Sequence, residues 1–206
     1  PSPPPSPPPS PPPSPPPSPP STGFALLDVK AELGNPVALS SWSGSDPCGG
    51  GWLGVGCTAG FVTSVDLSYQ SLASALPDTL KWLTTLTSLS FQSNAMTGML
   101  PVSWSSMTRL ADLNLATNAL SGTLPEVWST LSSLTRVDLA SNAALHATLP
   151  TAWPAGMPAM ASLSVVNNAH LCGALPAPWT TAIVSTAGSG LGAPCPSPPP
   201  PPPSPP

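Results

Sequence analysis

Charged side chains are unusually scarce in this sequence. Lys and Arg together number 4 and Asp and Glu number 8, so 6% of the residues are charged, compared with about 25% in an ordinary soluble protein. Four scattered cations cannot form the basic patch that neutralises a phosphate backbone, which argues against a nucleic-acid partner. No apolar run approaches the length of a membrane-spanning helix, so no span is predicted in this fragment. The surface must therefore be hydrated by hydroxyl groups or by an attached coat such as glycan.

Proline is abundant but very unevenly distributed. Of the 35 prolines, 15 lie in residues 1–20 and 9 in residues 196–206, where Ser is the only other residue type. Consecutive prolines lack the N–H groups that helices and sheets need and hold φ near −65°, so both tracts are predicted to form extended polyproline II rods. The stretch from Ser21 to Cys195 has an ordinary proline content and is long enough for one sizeable core. Because the chain begins with Pro, we expect a processed product or a piece of something longer.

The Ser-Pro blocks of residues 1–20 repeat with a period of four. Such blocks resemble the extensins and other hydroxyproline-rich glycoproteins of plant and green-algal walls. The resemblance implies hydroxylated and arabinosylated prolines and galactosylated serines. Candidate positions are Pro3, Pro4, Pro5, Ser6, Pro198, Pro199, Pro200 and Ser204. A plain semi-rigid stalk and a PxxP ligand for an aromatic-groove domain are the alternatives.

Between the two tracts the sequence repeats with a period of about 25 residues. A Leu-Pro pair recurs at Leu76-Pro77, Leu100-Pro101, Leu124-Pro125, Leu149-Pro150 and Leu175-Pro176. Three apolar residues precede each pair. A polar amide follows them, and we call these amides the Asn column: Gln70, Asn94, Asn118, Asn142 and Asn168. A period of this length indicates a solenoid, in which each coil buries its apolar face only against its neighbours.

This pattern resembles the plant-specific subtype of the leucine-rich repeat, LxxLxLxxNxLxGxLPxxLxxL. The resemblance covers about Phe61 to Trp179 and implies an α/β solenoid of about five coils, each with one short strand in a shared parallel sheet. In the family the Asn column satisfies buried backbone groups of the next coil. The predicted organisation is a polyproline tract at 1–20, an N-terminal cap at 21–60, five repeats at 61–180, a C-terminal cap segment at 181–195 and a second tract at 196–206.

The ends of the solenoid are expected to be capped. The segment from Ala25 to Cys57 resembles the N-terminal cap of plant extracellular repeat proteins, with a short helix followed by Trp42 and Trp52 over the first coil. That resemblance places one disulfide between Cys48 and Cys57 within the cap and another between Cys172 and Cys195. The rigid solenoid between the two pairs leaves other pairings out of reach. Disulfides place the domain outside the cytosol.

The outward strand positions provide the first candidate binding face. Asp66, Asp112 and Asp138 are predicted to share one column of coils one, three and four, with Asn114 and Arg136 nearby. The face is otherwise made of small polar residues and lacks the aromatic and Arg anchors in which binding energy concentrates. A solvated acidic face is favoured over a binding surface.

The second candidate is a column of indoles. It consists of Trp104, Trp128, Trp153 and Trp179, each three residues after the proline of a Leu-Pro pair. Indoles on an exposed ridge stack well on sugar or proline rings, whereas the resembled family places a core-facing Leu at this position. A core role is therefore favoured over a stacking column.

No arrangement typical of catalysis is present. His146 and His170 are the two histidines and fall on turns of adjacent coils without a Cys, an Asp or a third His beside them, so loop histidines are favoured over a metal site. No Gly-rich phosphate loop and no supported nucleophile elbow occurs. The sequence predicts no enzyme, no cofactor and no metal.

These features predict a structural extracellular glycoprotein module of a cell wall, a matrix or a cell-surface or flagellar filament. Its expected partners are copies of itself or other wall and filament glycoproteins, together with O-linked arabinose and galactose. The alternative is a receptor-like leucine-rich repeat module that binds a peptide or a wall oligosaccharide. The surplus of Ala, Ser, Gly and Pro favours a green-algal source.

Overall fold

The computed structural model describes residues 22–196. The end tracts, and with them the predicted hydroxylation and glycosylation positions, lie outside these residues. The positions concerned are Pro3, Pro4, Pro5, Ser6, Pro198, Pro199, Pro200 and Ser204.

Short strands dominate the secondary structure of residues 22–196. Helix α1 (Thr22–Glu32) comes first, and helix α2 (Trp153–Gly156) is a single turn. Short 3₁₀ helices lie at Val37–Leu39, Asp78–Trp82, Val102–Ser106 and Glu126–Thr130. The strands are β1 (Val55–Thr58), β2 (Phe61–Asp66), β3 (Ser88–Ser90), β4 (Asp112–Asn114), β5 (Ser121–Gly122), β6 (Arg136–Asp138), β7 (Ala144–Ala147), β8 (Ser162–Ser164), β9 (His170–Gly173), β10 (Val184–Ser185) and β11 (Gly190–Leu191).

Helix α1 closes the N-terminal end of the solenoid. Ala25, Leu26 and Val29 recur at helical spacing and are fully buried. The helix ends before Gly34, which adopts a φ of 80°, a left-handed conformation that glycine enters without steric cost. The predicted pair of cap indoles is buried in the same core and stacked, with ring centroids 5.7 Å apart.

The main sheet is the shared parallel sheet that the repeats predict. Within the described part its order is β1-β2-β3-β4-β6-β8-β10, with β1 antiparallel to β2 and the other pairs parallel. Each coil contributes one inward residue to a continuous buried column. This column consists of Val65, Leu89, Leu113, Val137, Leu163 and Val184. The register aligns equivalent positions of successive coils, so the apolar face of each coil is covered by its neighbours.

The C-terminal cap segment extends this sheet beyond the predicted five coils. Val184 pairs with Leu163 and Ser185 with Ser164, so residues 22–196 contain a sixth parallel strand. Backbone hydrogen bonds define it, because the Leu163 N–H donates to the Ile183 carbonyl at 2.8 Å. Strand β10 lacks the repeated leucines, and for that reason the repeat pattern did not reveal it.

A second parallel sheet runs along one edge of the later coils, in the order β11-β9-β7-β5, and isolated bridges continue its line to the earlier coils. The 3₁₀ helices that complete the first three coils begin directly after Pro77, Pro101 and Pro125. Proline presets a φ near −65° and needs no N–H partner at a helix start. In these three coils the Leu-Pro pair therefore marks the point where the helical segment begins.

The two predicted disulfides are both present. Cys48 is bonded to Cys57 with their Cα atoms 5.7 Å apart, and Cys172 to Cys195 with a Cα separation of 5.0 Å. One bridge closes a loop in the N-terminal cap, and the other joins the last coil to the segment that follows it.

The Asn column satisfies the preceding coil and not the next one, which corrects the expectation from the sequence. The Asn118 amide donates to the carbonyl of Phe91, and its oxygen accepts from the N–H of Met96. Both partners belong to the coil before it. Gln70, the first residue of the Asn column, does not make these contacts, because its side-chain amide donates only to the nearby Ser68 carbonyl.

Candidate functional site

The tryptophan column is part of the core, so the hypothesis of an exposed stacking column is wrong. Trp104, Trp128 and Trp153 are fully buried, and Trp179 is 7% exposed. The first three stack on one another with centroid separations of 6.2 Å. A ligand ring cannot reach faces that neighbouring indoles already cover.

Each of these three indoles also has a polar partner. The ring N–H of Trp128 donates to the carbonyl of Pro101 in the preceding coil at 2.9 Å. Trp104 and Trp153 make the equivalent bond to Pro77 and Pro125. A buried indole needs an acceptor for its N–H, and the Leu-Pro carbonyl of the preceding coil provides one.

The predicted acidic column is also corrected by the strand register. Asp66 and Asp138 occupy the outward position after the inward strand residue, together with Ser90 and Asn114. Asp112 lies one outward position earlier, in the column of Ser88, Arg136 and Ser162. Side chains two residues apart on a strand face the same way, so alternation alone does not separate these two columns.

The acidic side chains have a local structural role at the strand ends. Oδ1 of Asp66 accepts from the N–H of Ser68 at 3.0 Å, and Oδ1 of Asp138 accepts from the N–H of Ala140 at 3.0 Å. Asn114 makes the same contact with the N–H of Ala116. Asp and Asn side chains favour such bonds to the backbone two residues later. Part of the acidic pattern is therefore explained by turn formation.

A hydrogen-bonded row crosses the first three coils on the concave side. Tyr69, Gln92 and Asn114 form it, and we call them the Tyr69 row. The amide of Asn114 donates to Oε1 of Gln92 at 3.0 Å, and Nε2 of Gln92 lies 3.5 Å from the hydroxyl of Tyr69. The tyrosine is 69% exposed, so it presents an aromatic ring to solvent at the end of β2.

Tyr69 has an unfavourable backbone conformation for a bulky residue. Its φ is 60°, in the left-handed region where residues with a Cβ are disfavoured. Later coils place Ser93, Thr117, Ser141 and Asn167 at the equivalent position, also with positive φ. The repeat pattern did not single out this tyrosine. Its signal was a large aromatic in a column of small polar residues, immediately before the Asn column.

The two histidines lie side by side in the second sheet. His146 on β7 is in register with His170 on β9, and both side chains are exposed. The sequence predicted neighbouring coils, but only the strand pairing places the residues in register. Within residues 22–196 no group of three or more His, Cys, Asp or Glu residues is arranged to hold a metal ion. No helix of this range is long and apolar enough to cross a membrane.

Sequence comparisons connect this geometry to plant proteins. Residues 19–58 match the family model for the leucine rich repeat N-terminal domain. Over 75 residues the chain is 43% identical to Receptor-like protein kinase HSL1 of Arabidopsis thaliana, which covers 35% of this chain and 8% of that kinase. The chain therefore spans less than a tenth of this curated relative.

Solved plant structures share the fold over most of the chain. The leucine-rich repeat ectodomain of the receptor kinase SOBIR1 from Arabidopsis thaliana has a TM-score of 0.69 at 27% identity, covering 85% of this chain and 97% of that one. The Arabidopsis receptor kinase HAESA, in complex with the peptide hormone IDA and the co-receptor SERK1, has a TM-score of 0.67 at 30% identity and covers 75% and 26%. With the repeat register and the two disulfides, these likenesses identify residues 22–196 as a plant-type extracellular leucine-rich repeat domain.

Proposed function

We propose that this chain is a receptor-like recognition module whose concave face binds a polypeptide partner outside the cell. The observation that carries the proposal is the Tyr69 row, an exposed aromatic joined by hydrogen bonds to two amide side chains. Tyrosine is among the residues that most often dominate binding energy at interfaces. The conformational cost at this position, where later coils have small polar residues, supports a role in binding.

The Tyr69 row has the donor pattern that suits an extended peptide. The hydroxyl of Tyr69 accepts from Gln92, which leaves its own proton for a partner, and each amide nitrogen in the row has a second proton. Backbone carbonyls of an extended chain accept such bonds. Because the side chains already hold one another in place, binding loses less conformational entropy.

Charge on the surrounding face favours a partner with basic residues. Asp66, Asp112 and Asp138 lie on the outward strand positions, with Arg136 among them. Asp66 and Arg136 are exposed, and the other two are half-buried. Three carboxylates against one guanidinium give this face a negative balance, which steers cationic chains towards it.

The relatives favour recognition over the structural wall module that the composition suggested. HAESA was solved with a peptide hormone and a co-receptor, and the chain resembles about a quarter of it. The SOBIR1 ectodomain is covered almost completely, so five to six coils make up a whole ectodomain in at least one receptor kinase. The Ser-Pro tracts, on which the wall-module hypothesis depends, lie outside the described residues.

The proposal is tested by screening the immobilised full chain against a panel of secreted plant peptides and receptor ectodomains. The informative variant is Tyr69→Asn, because Asn tolerates a positive φ and so removes the ring without destabilising the coil. A hot-spot residue contributes about 2 kcal/mol, so the variant is expected to bind its partner about 30-fold more weakly. The matched control is Phe24→Asn. It removes an exposed aromatic ring from α1, which lies well before the Tyr69 row in the sequence.

Two outcomes would contradict the proposal. One is a partner that binds wild type and Tyr69→Asn equally well. The other is the absence of saturable binding in material that stays assembled at high salt, because contacts between uncharged surfaces resist screening. That second outcome would favour the structural wall module.

A further inference from the structure

His146 and His170 face the same side of the second sheet. They are Cα partners in the parallel pair β7 and β9, whose strands are spaced about 4.8 Å apart. Their neighbours Leu145 and Leu171 are fully buried. Since successive side chains of a strand alternate between its faces, both imidazoles project outward next to each other.

A backbone contact fixes one imidazole in a suitable tautomer. Nδ1 of His146 lies 3.2 Å from the carbonyl oxygen of Ala144. A carbonyl only accepts, so this nitrogen carries the proton and Nε2 keeps its lone pair. Histidines that bind metals commonly donate their other ring N–H to a backbone carbonyl or a carboxylate, which orients the ring and raises its basicity. His146 already has this arrangement.

Both histidines line one open groove beside the C-terminal disulfide. The groove has a volume of about 800 Å³, and its other walls include Thr148, Pro194 and the bridge between Cys172 and Cys195. No Lys or Arg of the described chain lines it. A cation that enters therefore meets no fixed positive charge and has room for its own water ligands.

We propose that His146 and His170 form a two-nitrogen binding site for a divalent transition-metal ion. Nε2 of His146 is one ligand and a ring nitrogen of His170 is the other. Two nitrogens bound at about 2.1 Å to one ion are no more than about 4.2 Å apart, a separation that adjacent strands allow with a small tilt of the rings.

The donor set indicates which ions bind and how. Imidazole suits Cu²⁺, Ni²⁺ and Zn²⁺, and the affinity of a given nitrogen site is highest for Cu²⁺. The described chain offers no third His, Cys, Asp or Glu here, so water or a donor from a partner completes the coordination. An open site of this kind differs from the closed four-ligand sites that hold structural zinc.

The test is a titration of the full chain with Cu²⁺ at neutral pH, followed by calorimetry and electron paramagnetic resonance. We expect one ion per chain, with hyperfine splitting from two nitrogens. His146→Gln and His170→Gln should each lower the affinity at least about tenfold, because loss of even an outer partner of a metal ligand has an effect of that size. Phe24→Asn, which changes an exposed residue outside the groove, should bind Cu²⁺ like wild type.

Both histidines are exposed, so the variants should fold, and near-ultraviolet circular dichroism of the indole column verifies this. The double variant His146→Gln/His170→Gln provides the baseline for adventitious binding elsewhere on the chain. If the wild type binds Cu²⁺ no more tightly than this baseline, the two histidines do not form a metal site. If either single variant keeps the full affinity, the two histidines do not share one ion.

Discussion

At the scale of single residues, the Asn column shows why one amide recurs in every coil. Asn142 is fully buried and donates to the carbonyls of Leu115 and Leu139 at 3.0 Å, while its oxygen accepts from the N–H of Leu120 at 3.1 Å. These backbone groups turn inward between coils and have no water to bond. Buried unpaired groups are costly, and one side chain with two donors and an acceptor satisfies several at once.

Asn142→Ala should therefore destabilise the domain. It leaves the buried N–H of Leu120 without a partner, which costs about 1–3 kcal/mol. It also removes one of two amide donors from the carbonyls of Leu115 and Leu139, which keep Asn118 and Asn168 respectively, so we expect a loss of at least about 2 kcal/mol in urea unfolding. Gln70→Ala, at the equivalent position of the first coil, is the control. Since the Gln70 side chain bonds only within its own coil, Gln70→Ala should lower the free energy of unfolding by less than about 1 kcal/mol. Equal losses for the two variants would contradict this account.

The pKa of the Asp78 carboxyl lies below its ordinary value. Hydrogen bonds from Lys81 and then Ser103 lower the pKa of its carboxyl, burial opposes them, and the Lys81 charge lowers it further. The same residue holds the 3₁₀ helix at Asp78–Trp82 against α1, because its N–H donates to Glu32 at 2.7 Å. A carboxyl with a depressed folded-state pKa stabilises the native state when ionised.

The stabilisation by the Asp78 carboxylate should thus be present above about pH 4, the pKa of an unfolded Asp, and disappear as the pH falls through the lower folded-state value. Because the Asp78 side chain is 56% exposed, the effect is small. Asp78→Asn should lower the unfolding free energy by less than about 1 kcal/mol at pH 7, and this loss should shrink as the pH falls towards about 2. A difference that persists unchanged at pH 2 would show that the charge is not its source.

At the scale of secondary-structure elements, the indole column connects the short helices of successive coils. The 3₁₀ helices at Val102–Ser106 and Glu126–Thr130 and the single turn α2 follow Leu-Pro pairs. Each directs one indole into the core, where it stacks on a neighbouring indole and donates to a proline carbonyl of the preceding coil. Offset stacking and the N–H bond add to the large apolar area that an indole buries. Short helices that would be unstable alone are thus held by contacts between coils.

Trp128→Ala, in the middle of this column, is expected to cost about 3–5 kcal/mol, since it leaves a large cavity. Trp128→Phe keeps most of the apolar volume but removes the indole N–H bond to the Pro101 carbonyl, which keeps the N–H of Trp104 as a partner at 3.3 Å, so the expected loss is about 0.5–1.5 kcal/mol. Trp82→Ala serves as the control, because this indole ends its helix and is 37% exposed. Urea unfolding gives the free energy of unfolding of all three variants. A loss for Trp82→Ala as large as that for Trp128→Ala would refute the stacking argument.

At the scale of the whole molecule, stability comes from contacts between neighbouring coils and from the two ends. Helix α1 packs on the 3₁₀ helix at Asp78–Trp82, and the C-terminal bridge joins the last coil to the segment after it. A stack of repeats frays from an end whose cap is lost. The disulfides lie at these ends, where cross-linking prevents fraying from starting.

Reduction is therefore expected to release the caps before the central coils. Hydrogen exchange with reductant should show early loss of protection around Cys48–Cys57 and Cys172–Cys195, while β3, β4 and β6 keep theirs. Each bridge contributes about 2–4 kcal/mol in the usual range. Oxidised protein under identical conditions is the control, and simultaneous loss of protection in every coil would rule out fraying from the ends.

The sequence alone determined the solenoid, its period, its inward residues, the N-terminal cap and both disulfides. It did so because each coil repeats the same local conformation, so a recurring pattern of Leu, Asn and Leu-Pro specifies which side chains face inward. The cysteine pairing followed because the stack keeps the two pairs at opposite ends. The core role favoured for the tryptophans rested on the same logic.

Only the tertiary structure decided which outward residues meet. Two outward positions of each short strand face the same way, so the register between coils, and not alternation, assigned Asp112 to the column of Arg136. The same register brought Tyr69 to Gln92 and Asn114, and His146 beside His170. Contacts between coils join residues more than twenty positions apart, and their geometry depends on backbone pairing that no local pattern specifies.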